Sequence, residues 1–354
     1  MIWRRAVMIL ATAATAGGCA YYNSMWSAER HAKEARRLEQ RGRSSEARAE
    51  WIQAAGQAQI VTLRHPHSRW ADDALALRAE ALARSGACPD AAEPLAQARA
   101  AVRDPSLRER VDLAAAACAL ASGDLLEADA ALTAPLASSA ADRRSRAECI
   151  AGEVAMVRAD YARAVDHFSR SHDAAARRSA LLGQQRLRIA RAGTTSGLTP
   201  VVSELTQLLR TEPEIAGAAQ LLELLTNVMT VAETPAARFR VAEVARDSLH
   251  APALAAELFL DAAARDPGSL YAPKALIAAL AVLPDRRDSI VALLDSRYAD
   301  SPYTRAFHGE SSVAYAAAED SLGRALGVAT VRTVALPTGA RFGAPRSGPR
   351  GPLP

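Results

Sequence analysis

The sequence predicts an all-α protein, an array of antiparallel helix pairs, on three observations. Half of the 354 residues are hydrophobic but only 5% are aromatic. Alanine and leucine dominate, alanine is the strongest helix former, and the β-branched clusters that strands favour are scarce. The breaks between apolar-periodic segments are short, which makes consecutive helices antiparallel neighbours. Finally, one pattern of small and large residues recurs five times in the same phase. The length allows two average domains or one long repeat array with a substantial core.

The elements follow in chain order. A first helix over Met25–Gln40 is amphipathic and rich in Glu, Arg and Ala, with Asn23 or Ser24 placed to cap it. Gly42 ends it. A second helix runs from Ser44 to Arg64, where His65-Pro66 stops it. Asp72-Asp73 opens the next, where carboxylates favour the helix dipole. Further first helices are expected over Leu107–Ser122, Asp142–Arg158 and Ala174–Ala192, the last followed by the break Gly193-Thr194-Thr195-Ser196-Gly197, a hinge candidate over 193–198. Helices resume over Thr199–Leu209, Glu214–Ala232 and Ala236–Leu249, with Pro213 and Pro235 near two of the starts. A pair over Tyr271–Leu283 and Asp285–Ala299 and a last helix over Ser311–Leu326 complete the array. Residues 327–354 hold prolines, glycines and arginines without apolar periodicity, the composition of a disordered basic tail.

The recurrence is counted from a break residue. Gly42 is followed by Ala47 five residues later and Trp51 nine later; Gly86 by Ala91 and Leu95; Gly123 by Ala128 and Leu132; Ala159 by Ala164 and Phe168; His250 by Ala255 and Phe259. A small residue at the first position lets the two helices of a pair approach. The large residue one turn further along the same face fills the space to the neighbouring helix. A second recurrence marks connections: Pro66-His67-Ser68-Arg69-Trp70-Ala71 aligns with Pro267-Gly268-Ser269-Leu270-Tyr271-Ala272 and, more loosely, with Asp300-Ser301-Pro302-Tyr303. Each has a break, a serine suited to N-capping and an aromatic two residues later.

The first recurrence resembles the second helix of the tetratricopeptide repeat. The first four copies are 44, 37 and 36 residues apart, near that family's period of roughly 34. The family's first-helix signature, a Trp before Leu-Gly and Tyr, is poorly kept. The resemblance implies a right-handed solenoid over about residues 19–326 with a concave groove; a generic armadillo or HEAT array is the alternative architecture. The connecting motif is similar to inter-repeat turns in bacterial envelope lipoproteins of this class, BamD-like outer-membrane assembly lipoproteins among them.

The N-terminus supports an envelope location. Arg4 and Arg5 precede an apolar run from Ala6 that ends in small residues, the layout of an export signal over 1–18; the run is too short to span a bilayer. Ala16-Gly17-Gly18-Cys19 resembles the lipobox of bacterial lipoproteins, with Ala16 where Leu is usual. That resemblance implies acylation of Cys19 as the first mature residue. Ala20 is not the Asp that often signals inner-membrane retention in such families, so the periplasmic face of the outer membrane is expected.

The formal charge of +4 and pI near 9.0 come from the ends. Arg4 and Arg5 leave with the signal, and Arg324, Arg332, Arg341, Arg346 and Arg350 follow the last acid, Asp320. The body is slightly acidic, which argues against nucleic acid. Cys88, Cys118 and Cys149 remain after Cys19. In a disulfide-permitting compartment they are either one pair and a thiol, or three small buried residues in Ala-rich helices. The second reading is favoured, since a sequence supplies no Cα separation.

Catalytic motifs are missing: there is no H-E-x-x-H, G-x-S-x-G, Walker A or G-x-G-x-x-G stretch. His65 and His67 flank a turn proline without further ligands beside them, and His167 and His172 are five apart, off metal-facing spacing. No cofactor, metal or catalytic residue is expected. The expected function is a lipid-anchored scaffold binding envelope proteins or peptides, with outer-membrane protein assembly as one such process. The alternatives are a lytic-transglycosylase-like superhelix enzyme, for which too few residues follow the array, and a small-ligand-binding module.

Overall fold

The computed structural model describes residues 24–325 apart from Pro213, Glu214, Ala216, Val231 and Ser311. The signal segment, Cys19 and the 327–354 tail lie outside the described residues. Among those described the chain is all-helical, with no strand. No described helix is long and apolar enough to cross a membrane.

The α-helices are α1 (24–40), α2 (Ser44–Arg64), α3 (Ala71–Arg84), α4 (Cys88–Ala101), α5 (Pro105–Ser122), α6 (Leu125–Leu136), α7 (Ala141–Val157), α8 (Tyr161–Arg170), α9 (Ala174–Ala190), α10 (Thr199–Thr211), α11 (Ala218–Met229), α12 (Pro235–Asp247), α13 (Pro252–Arg265), α14 (Tyr271–Val282), α15 (Arg287–Arg297), α16 (Pro302–Phe307) and α17 (Val313–Ala325). The break over 193–198 is a connection with a 3-10 turn at Ser196–Leu198. Among the described residues, one compact unit holds the chain before 231 together with Ala242–Glu257, and the other holds Ala232–Val241 with 258–325.

The five break residues share one backbone conformation. Gly42, Gly86 and Gly123 have φ of 77°, 81° and 82°, and Ala159 and His250, at 58° and 51°, are the positive-φ non-glycine residues of the described chain. The reason is the way each first helix ends. The Gly86 amide donates to Ala83 O at 3.1 Å while the Ala87 amide reaches Leu82 O at 2.9 Å. The same two bonds recur at Gly42, Gly123 and Ala159. This closure satisfies carbonyls that a helix end would otherwise orphan, and it requires a left-handed residue. In the third and fourth copies the next residue starts the second helix: Asp124 accepts from the Glu127 amide at 3.0 Å and Asp160 from the Arg163 amide at 3.2 Å.

Downstream of the breaks, Ala47, Trp51, Ala91, Leu95, Ala128, Leu132, Ala164, Phe168, Ala255 and Phe259 are all buried. In the first unit they lie in cores shared by successive helices. Trp51 packs with Ala28, Ala32 and Ala35 of α1 and Leu77 of α3; Leu95 and Leu132 pack with residues of α3, α5 and α7; Phe168 packs with Ala155 and Ala176. Burying each such large side chain contributes roughly 1.5–3 kcal/mol. The tightest approach in the fourth pair is at a residue outside the pattern: a Cβ on Gly152 of α7 would lie 2.4 Å from the Phe168 ring. In the first unit the helices from α2 to α11 each pack on the next, and α3, α5, α7 and α9 also contact one another in turn. In the second unit α14 packs on α15 and α16, and Lys274 lies 5.2 Å from the Tyr303 ring centre and 5.9 Å from that of Phe239.

Several expectations are corrected. Cys88 and Cys118 form a disulfide with Cα atoms 5.3 Å apart, leaving Cys149 as a buried free thiol, so the favoured reading of three unpaired cysteines does not hold. The first residue of α4 falls beside the last turns of α5, a proximity set by the turn over 102–104. Ser68 does not cap a helix: its hydroxyl accepts from the Trp70 amide within the turn, and α3 starts at Ala71. Ser269 does not cap α14 either, whereas Ser301 does cap α16. The helix expected from Glu214 starts at Ala218, because Gly217 ahead of it takes φ 80°. Finally, α16 itself was expected as linker, since six residues show no periodicity.

Candidate functional site

The first unit carries a groove of about 390 Å³. Its lining comes from the first helices of four consecutive pairs. Arg36 and Glu39 stand on α1, Glu80 and Arg84 on α3, Arg110, Leu113, Ala114 and Ala117 on α5, and Arg143 and Arg146 on α7; Asp173 follows α8. Guanidinium groups and carboxylates alternate over a floor of alanine and leucine.

Glu80 is the centre of the polar network. Its carboxylate accepts from Arg36 of α1 at 3.0 and 3.2 Å, from Arg84 at 3.3 Å and from Arg110 of α5 at 3.0 and 2.7 Å. One buried side chain thus joins three first helices. Burial alone would raise its pKa, but Arg110, Arg36 and Arg84 outweigh that and hold it at about 2. Arg84 also pairs with Glu39 at 2.9 Å, and burial, together with the neighbouring Arg146, lowers its own pKa. A buried charge persists in this way only when partners surround it.

Trp51 ties this network to the core. Its indole N–H donates to Glu39 at 2.8 Å, while Arg84 and Arg36 lie over its ring at 4.8 and 5.3 Å from the centre. Of the ten repeat residues it alone meets the groove's charged groups in this way, through cation–π contacts. The other nine are placed in packing positions, and Cys19 lies outside the described residues.

On α7, Arg146 pairs with Asp173 at 3.3 Å. Burial works against its charge, but Cys149, Asp173 and Glu153 outweigh it and raise its pKa. Arg143 bonds Glu109, which also accepts from the Ser138 hydroxyl at 2.6 Å. Behind the groove, burial and then Glu153 push the Cys149 thiol up to about 12, so it stays protonated and inert at neutral pH. His172 lines the groove, whereas His167 is buried on α8 with its ring nitrogen 2.6 Å from Glu148. The two histidines lie apart because α8 ends at Arg170, before His172. Among the described residues no group of three His, Cys, Asp or Glu is placed to hold a metal.

The groove residues escaped the forward count, but several stand at repeated distances before a break. Six residues before Gly42, Gly86 and Gly123 are Arg36, Glu80 and Ala117, and thirteen before Gly123 and Ala159 are Arg110 and Arg146. Those offsets share a helix face. Glu80 was also visible as a carboxylate between Leu77 and Ala83, one turn before Arg84 on α3.

No known protein family, no curated protein and no solved structure matches this chain.

Proposed function

We propose that the chain is a lipid-anchored scaffold of tetratricopeptide-like helix pairs, wound as a right-handed solenoid, that binds partner proteins or peptides at the periplasmic face of the outer membrane. The observation that carries this is the groove itself: four consecutive first helices contribute to one polar-walled, apolar-floored channel. Such a surface suits an extended segment, whose main chain and side chains meet arginines and carboxylates in alternation while its apolar groups rest on Leu113, Ala114 and Ala117. The arginines are pre-positioned by Glu80, Glu39 and Asp173, so little ordering is left for binding to impose. The Cys88–Cys118 disulfide supports an oxidising compartment. Outer-membrane protein assembly is the process to which the lipoprotein resemblance points.

A photo-crosslinking side chain at Ala117, inside the groove, should capture an envelope protein in intact cells, and one at Leu126, 81% exposed on α6, should not. Equal capture at both positions, or none at Ala117, counts against the groove. The cavity volume also falls in the range of small-molecule sites, roughly 300–1,000 Å³, which favours a small-ligand module as the second reading. Protein-free extracts that raise the unfolding temperature, with no crosslink from Ala117, would decide for it.

A further inference from the structure

One surface away from the groove has a composition the scaffold role does not use. It is the end of the first helix pair at which the chain enters. Trp26 of α1 is 50% exposed and Leu63 in the last turn of α2 is 71% exposed. Trp70, in the connection to α3, is partly buried. These positions share one end of the pair, since α1 starts at 24, α2 runs back to end at Arg64, and the chain leaves that end through Trp70, which packs against the core of the pair. Each of the two tryptophans carries an arginine over its ring, Arg30 on Trp26 at 5.3 Å and Arg69 on Trp70 at 5.0 Å. From Val61 to Ala71 the chain holds Arg64, His65, His67 and Arg69 and no acid; the acids of this end, Glu29, Asp72 and Asp73, lie on α1 and in the first turn of α3.

Indole rings with an apolar body and a polar edge settle at the headgroup level of a bilayer. Arginines beside them reach phosphates while their stems stay on apolar surface. Five residue steps separate Cys19 from Ser24, roughly 17 Å of fully extended chain. A lipid on Cys19 therefore keeps this end within reach of the membrane surface. We infer that Trp26, Leu63 and Trp70, with Arg30, Arg64 and Arg69, form a bilayer-interface seat that fixes how the first helix pair stands on the membrane. The inference rests on the acylated Cys19 of the proposed function for its geometry. The seat has its own chemistry, a phospholipid headgroup region containing anionic lipid.

The full-length protein is reconstituted into vesicles of phosphatidylethanolamine and phosphatidylglycerol, with and without lipids brominated near the headgroup. Tryptophan quenching and the mass of the Cys19 peptide are read on the same sample. Bromolipid should quench the emission that Trp26→Phe and Trp70→Phe remove and spare that of Trp51, which is fully buried. Leu63→Glu, at an exposed position where the fold is insensitive, should abolish most of the quenching. Quenching of Trp26 supports the seat whether or not Cys19 is acylated. An acylated Cys19 with no bromolipid quenching overturns the seat and leaves the anchor standing. Shielding of Trp26 that follows protein concentration and ignores bromolipid assigns the surface to a protein contact and also overturns it.

Discussion

Exchanging residues between two break positions should move stability in opposite directions. Gly123 has φ 82° and Ala159 has φ 58°, and each closes its helix with the same pair of amide bonds. A Cβ on Gly123 would meet nothing within 4 Å, so Gly123→Ala is penalised by backbone conformation alone. A left-handed alanine costs roughly 1–2 kcal/mol, and restricting the unfolded chain returns about 0.4–1 kcal/mol. The net expectation is a loss of about 1 kcal/mol. Ala159→Gly runs the same balance in reverse, at a partly buried site where the lost methyl forfeits little, and should gain about 0.5–1 kcal/mol. The assay is urea unfolding of the oxidised protein followed by far-ultraviolet circular dichroism. The midpoints of the two variants should shift in opposite senses at unchanged slope. If both variants destabilise, the left-handed closure is not what these positions share, and the repeat phase loses its physical basis.

Three further outcomes are expected. Gly152→Ala places a Cβ 2.4–2.9 Å from three carbons of the Phe168 ring and should cost ~1–3 kcal/mol of overpacking, with Phe168→Leu in the same chain recovering part of it in the same urea assay. Opening the Cys88–Cys118 bridge, which spans 30 residues, should lower stability by about 3–4 kcal/mol by freeing the unfolded chain; Cys149 should resist alkylation in the folded protein and react once it is denatured without reductant. Glu80 has a folded pKa of about 2 against 4.5 when free, so its contribution, about 3 kcal/mol, is complete above pH ~4.5 and is lost as pH falls towards 2. Glu80→Gln should therefore flatten the loss of stability between those pH values, measured by urea titration at each pH.

The sequence showed most clearly what is local. Ser44–Arg64 was bounded on both sides because Gly42 and His65-Pro66 are chemical stops, and α2 has those limits. The five-fold phase was visible because a left-handed closure and a small-then-large pair need only one turn of helix each. What was not visible depends on neighbours in space. The Cys88–Cys118 bond needs two helix ends brought together across 30 residues. Ser68 and Ser301 sit in similar motifs, yet only Ser301 caps a helix, because the turn at 65–70 absorbs Ser68 before α3 begins. Gly152 carries no mark in the sequence. Its role follows from the ring of Phe168 arriving from the next helix.

The groove lies between these cases, and the break residue explains why. A left-handed closure fixes where the first helix ends and the direction in which the second leaves, so counting forward from it finds the buried face at five and nine residues. The same origin counted backward finds the opposite stripe: Arg36 and Glu80 six residues before their breaks, Arg84 two before, Arg110 and Arg146 thirteen before. The stripe moves from the last turns of α1 and α3 to the middle of α5 and the start of α7, so the groove crosses the helices obliquely. Residues at different depths of their helices come level through that crossing, which is how Glu80 accepts from Arg36 on one side and Arg110 on the other. α3 alone offers its buried carboxylate one partner, Arg84, and a buried charge needs more than that; the repeat supplies Arg36 and Arg110 from the neighbouring first helices. The break residues are thus the common cause of the core on one side of the chain and the charged channel on the other.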